Sequence, residues 1–147
     1  MPEFILDHGT HEAAMKFGAL DSFTQGYIEA MFFTSTGHLE DEDLQEASVA
    51  ELSPDAWRVI REDCARFQAD NAALIDQAIE YSETKSKAYY AYDSAAAGRD
   101  FWYTRNHHGV GFWDRYLDDI GDALTAKANR YHEIDLHRGD DGLLYLS

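Results

Sequence analysis

Four features are scarce in this 147-residue chain, and each scarcity excludes something. One cysteine, Cys64, is present, so there is neither an internal disulfide nor a thiolate framework for zinc. Two prolines, Pro2 and Pro54, leave the middle of the sequence free for long helices. No apolar run approaches the ~20 residues that span a bilayer, and no charged-then-apolar leader opens the sequence. The expectation is a soluble protein of a reducing cytoplasm with no membrane contact. Basic residues are scarce as well: 12 Lys and Arg face 28 Asp and Glu, a formal charge of −16. Such a surface repels phosphates, which argues against direct nucleic-acid binding. It permits the converse role of presenting carboxylates to a basic groove that otherwise holds nucleic acid, beside the plainer reading of a solvated acidic surface that keeps a small protein soluble.

What is abundant is apolar and aromatic. A hydrophobic fraction of 45% and an aromatic fraction of 14% mark a folded chain rather than a disordered one. The length suits a single domain, residues 1–147, that buries about 70% of the surface its unfolded chain exposes.

Periodicity predicts about four helices. Leu20, Phe23, Tyr27, Met31 and Thr34 step by three and four in a helical stretch from about 11 to 34. Asp21 or Ser22 is an N-cap if its first part is a separate turn, and Gly37 is a C-terminal stop. The segment 38–52 is an acidic connection. Ser53-Pro54-Asp55 then reads as a helix start. Trp57, Ile60, Cys64, Phe67, Leu74, Ile75, Ala78 and Ile79 form one stripe, with a bend expected near Asp70-Asn71 if the helix is not continuous. Asp93 or Ser94 caps a third helix to about Arg105, residues 107–115 form a loop, and a fourth helix runs from about 117 to 131. "EIDLH", "RGDDG" and "LLYLS" read as a hairpin. The expected class is α+β: about four helices against a small antiparallel sheet containing the C-terminal β-hairpin, widened by an N-terminal strand or docked arm at Phe4-Ile5-Leu6.

The stretch "GRDFWYTRNHHGVGFWDR", residues 98–115, concentrates aromatics, histidines and charge. It resembles a family of small bacteriophage and mobile-element proteins that carry a GxDFWxTRNxHGxGFWDR pattern. "YIEAMFFTST", "REDCARFQADNAALI" and the late hairpin resemble that family too. The resemblance covers most of the chain from about residue 23. It implies a phage or mobile-element origin and a shared fold, and implies no reaction.

Arg105, His107, His108 and Asp114 are the chemistry-bearing residues of this stretch. A loop histidine oriented by a carboxylate is the pattern of a general base. His132 and His137 are the further nitrogen donors a metal site would need. Neither spacing is specific, and no HExxH, phosphate loop or nucleophile elbow occurs. The structural reading is favoured: Phe101, Trp102, Phe112 and Trp113 as core, Arg105 paired with Asp114, Gly109 and Gly111 as turn residues. No catalytic residue, metal or cofactor is expected. The leading functional expectation is an accessory protein that inhibits a host protein, such as a nucleic-acid-binding defence complex, through a DNA-mimic-like acidic surface. Glu40, Asp41, Glu42, Asp43, Glu46, Glu51 and Asp55 are the expected contact residues. The alternatives are a small enzyme or ligand-binding module on the histidine loop, and a structural phage component that assembles through exposed aromatics.

Overall fold

The computed structural model describes residues 4–36, 42–84 and 91–147. Five helices appear in the order α1 (His11–Gly18), α2 (Ser22–Thr36), α3 (Pro54–Thr84), α4 (Ser94–Arg105) and α5 (Asp118–Ala128). Strands β1 (Leu136–Arg138) and β2 (Leu144–Leu146) follow. Single tight turns of helix occupy Glu42–Leu44, Val49–Glu51 and Phe112–Asp114.

Among the described residues there are five helices rather than four because the stretch 11–34 is divided by its own capping residues. Asp21 Oδ1 accepts the backbone N–H of Thr24 at 2.8 Å, which starts α2. Gln25 Nε2 donates to the carbonyls of Phe17 and Leu20, both at 3.1 Å, and so closes α1. Ser53 Oγ accepts from Ala56 N at 3.0 Å, and Pro54 is the first residue of α3. Of the two alternatives for this helix, unbroken or bent near Asp70-Asn71, α3 takes the second: it bends at Asn71 (φ −128°, ψ 22°), whose Nδ2 donates to Phe67 O at 2.9 Å. Asp93 caps α4 through Ala96 N at 2.8 Å. Gly37 and the tyrosines at 89 and 90 lie outside the described residues.

The core gathers around the crossing of α2 and α4. Glycine is required there at two positions. A Cβ on Gly26 would stand 2.0 Å from Ala95 O, and one on Gly98 would stand 1.8 Å from Phe23 O. The two backbones touch, which brings Phe23 and Tyr27 against Phe101 and Trp102. The stripe of α3 closes the cluster, with the Phe67 and Phe101 rings stacked 4.2 Å apart. Trp102 is buried, and its Nε1 donates to Thr34 Oγ1 at 2.9 Å.

The expected hairpin forms with Leu136 opposite Leu146 and Arg138 opposite Leu144. Its turn includes Gly142 at φ +83°, a backbone angle that suits glycine. Leu136, Leu144 and Leu146 face the core. Residues 4–6 form no strand, and among the described residues the sheet has two strands. Residues 7 and 8 instead dock as an arm, their carbonyls accepting from Val49 N and Ala50 N at 3.0 Å each. Ile5 is 84% exposed, so this run gains too little burial to hold a ladder position. The hairpin attaches through residue 53, whose N–H donates to Leu144 O at 2.9 Å. Among the described residues no helix is long and apolar enough to cross a membrane.

Candidate functional site

The stretch 98–115 is used largely for construction. Phe101, Trp102, Thr104, Arg105 and Phe112 are buried. Asp100, 1% exposed, receives Arg115 Nη2 at 2.9 Å and the phenol of Tyr92 at 2.7 Å. Burial drives the Asp100 carboxyl above its ordinary range despite the opposing pull of Arg115. Asn106 donates to Trp102 O and accepts from Ile134 N at 2.8 Å, fastening the segment before β1 to the end of α4.

The pairing expected between Arg105 and Asp114 does not occur. Arg105 points inward, where Nη1 meets Asp63 Oδ2 at 2.8 Å and Tyr27 Oη at 3.1 Å. Its Nε and Nη2 both donate to His132 O. Asp63 projects from α3 at the height of Arg105, whereas Asp114 is carried outward on the turn at 112–114. Trp113, expected in the core, is 45% exposed. The tight turn places Phe112 inward and its neighbour outward.

The two histidines separate by role. α4 ends in a Schellman motif: His108 N donates to Tyr103 O at 3.0 Å and His107 N to Thr104 O at 3.1 Å. His107 occupies the left-handed position, φ +57°, that glycine usually takes. Its side chain is exposed, with Nε2 3.5 Å from a Glu133 oxygen. His108 turns toward the hairpin and shares an open cleft of about 500 Å³ with Asn106, Asp135, His137 and Arg138. The hairpin therefore does approach the loop, yet His132 lies at a different cleft. The four loop candidates, Arg105, His107, His108 and Asp114, thus occupy four separate places. Among the described residues no three His, Cys, Asp or Glu side chains are gathered as a metal site. Cys64 is buried, which pushes its thiol up and away from thiolate reactivity.

The acidic segment expected to bind a partner is also partly committed to the fold. Glu40 and Asp41 lie outside the described residues, as does the side chain of Glu42. Asp43 and Glu46 are exposed. Glu51 is half-buried: it accepts from Ser48 N at 2.9 Å and pairs with Arg138 at 2.5 Å. Burial raises its pKa, but the bonds from Arg138 and Ser48 outweigh that and hold it below the ordinary carboxylate value. Asp55 pairs with Arg58 on the surface of α3.

A second acidic face, not evident from the sequence, joins two helices. Asp76, Glu80 and Glu83 lie on the second half of α3, and Asp118, Asp119 and Asp122 on the first turns of α5. All six are exposed, and none has an ion-pair partner among the described residues. Tyr81 donates its phenol proton to Asp118 and so brings the two rows together. Neither 67–84 nor 116–126 contains a Lys or Arg. Spacing was the available signal: 76, 80 and 83 share one helix face. Compared with protein-family models, curated proteins and solved structures, the chain matches none.

Proposed function

We propose that the protein is a non-catalytic accessory protein of a phage or mobile element that binds and inhibits a host protein through a DNA-mimic-like acidic face. The natural target is a nucleic-acid-binding protein with a basic groove in the bacterial cytoplasm. One observation carries the reading: six exposed carboxylates on α3 and α5 without a cation partner among the described residues. Along α3 the rise per residue sets Asp76, Glu80 and Glu83 about 6 Å and then about 4.5 Å apart along the axis. This row is carried on a helix whose opposite side is core, so it is presented rigidly. Asp43 and Glu46 are the remaining exposed members of the segment first expected to bind. A small enzyme on the histidine loop has less support, because Arg105, His107, His108 and Asp114 do not converge.

The test compares the wild-type protein with two charge-reversed variants, D76K/E80K/E83K and D43K/E46K. Wild-type protein is expected to retain nucleic-acid-binding proteins from host lysate, in a salt-sensitive manner, and to displace DNA from them in gel shifts. The α3 variant should lose both properties while melting near the wild-type temperature, since exposed charges contribute little to stability. Retention and displacement that survive both reversals would remove the acidic-face reading.

A further inference from the structure

We propose that the cleft between the bend of α3 and the end of α5 binds a small organic phosphate monoester. The argument begins with the placement of the few cations. Of the 12 Lys and Arg, Lys85 and Lys87 lie outside the described residues. Arg58, Arg99, Arg105, Arg115 and Arg138 are ion-paired. Lys16 and Arg61 lie over the Trp57 ring. The other three, Arg66, Lys127 and Arg130, have neither kind of partner among the described residues, and all three line this one cleft. In a chain of charge −16 with carboxylates on every helix, unpaired cations that gather at one place are unexpected by chance.

The surroundings define what fits. The cleft holds about 560 Å³, within the size range of small-molecule sites. Its floor includes Arg105, 1% exposed and neutralised by Asp63. Asp70 is the other acid in the lining, so three free cations against one acid leave a charge of +2. That suits a phosphate monoester, which carries about −1.5 to −2 at neutral pH, better than a single carboxylate. Tyr131 offers the cleft a half-buried aromatic ring backed by Phe67 and Phe101.

The second observation is Asn71. It is 5% exposed, it lines the same cleft, and its Oδ1 is the buried side-chain polar atom left without a hydrogen bond among the described residues. A buried acceptor without a donor is destabilising, and a bound hydroxyl or amino group relieves it. The ligand therefore carries a hydrogen-bond donor as well as the phosphate. Lys127 and Arg130 also complement the C-terminal dipole of α5, but Arg66 sits in the interior of α3, where that role does not apply.

Titration of the full chain with AMP, inorganic phosphate and adenosine, followed by calorimetry and by amide NMR, tests the proposal. AMP is expected to bind saturably, more tightly than either fragment, and to shift the side-chain amide resonance of Asn71. R66Q and R130Q, both at exposed positions, should each weaken AMP about tenfold. R58Q, an exposed cation elsewhere on α3, should bind AMP as the wild type does. Absence of saturation below about 10 mM overturns the proposal. So does AMP binding unchanged by R66Q and R130Q, or binding of adenosine or phosphate alone as tight as that of AMP.

Discussion

Arg115 closes on Asp100 with two nitrogens, Nη2 at 2.9 Å and Nε at 3.1 Å from Oδ1, fifteen residues along the chain. The pair ties the turn after α4 back to the helix itself. Removing one member leaves a buried charge uncompensated, at a cost of about 3–5 kcal/mol. R115M is expected to lose that much in chemical denaturation. D100N/R115M should recover a clear part of it, because asparagine still accepts from Tyr92. A double variant as unstable as R115M, or more so, would refute an uncompensated carboxylate as the cause.

The contact between α2 and α4 predicts a severe effect from the smallest possible change. Gly98→Ala places a methyl group into the backbone oxygen of Phe23, and no side-chain rotation relieves it. The expected loss is about 3 kcal/mol, at the upper end for overpacking. Gly109→Ala, where an added Cβ meets nothing within 4 Å, is the control and should melt close to wild type. Similar melting temperatures for the two variants would disprove the close approach.

His107 offers the reverse case, a substitution that stabilises. Its left-handed backbone costs a β-carbon-bearing residue about 1 kcal/mol that glycine does not incur. His107→Gly should therefore raise stability by up to about 1 kcal/mol in denaturant titration. A destabilised variant would mean that the imidazole contributes more than helix termination.

Acid should weaken the attachment of the hairpin. The Glu51 carboxyl is held below its ordinary value of 4.5, so its contribution is fully present above that value. It is lost as pH falls through the lower folded value. Melting temperature should therefore drop on the acid side of pH 4.5, and E51Q, which cannot titrate there, should show a shallower decline. Asp100 has the opposite sign. Its raised pKa means that the ionised form is disfavoured by folding, so its contribution is lost as pH rises through the folded value. The deficit of R115M should accordingly shrink as pH falls. Equal acid slopes for E51Q and wild type would rule out Glu51 as the titrating group.

Local rules made much of this fold legible. Ser53-Pro54, Asp93 and Asp-Asp-Gly act where their chemistry is short-range, and the stripe of α3 follows from helical period alone. Distance along the chain hid the rest. Arg105 had 28 acids to choose from, and its partner Asp63 lies 42 residues away. Nothing local marks Gly26 and Gly98, and only the packing of two helices shows that their lack of a side chain is what is used. The run at 40–43 is visible in the sequence because its charges are consecutive. The face formed by α3 and α5 is interleaved with apolar residues and spans two elements, so it is invisible as a run. Trp113 is a similar case: composition suggests an interior ring, and only the turn decides which neighbour turns inward.

The seating of β2 on residues 52 and 53 has a consequence for how the protein is made. Leu144 is fully buried, and its carbonyl is bound to the residue that opens α3. The start of α3 can therefore form during synthesis, but its contact with β2 waits until residue 144 has left the ribosome. At roughly 5–20 residues per second, adding the chain from residue 54 to residue 144 takes on the order of ten seconds, and for that time the start of α3 lacks its cover. The strong negative charge then acts as a colloidal safeguard, keeping nascent copies apart while the last strand is still missing.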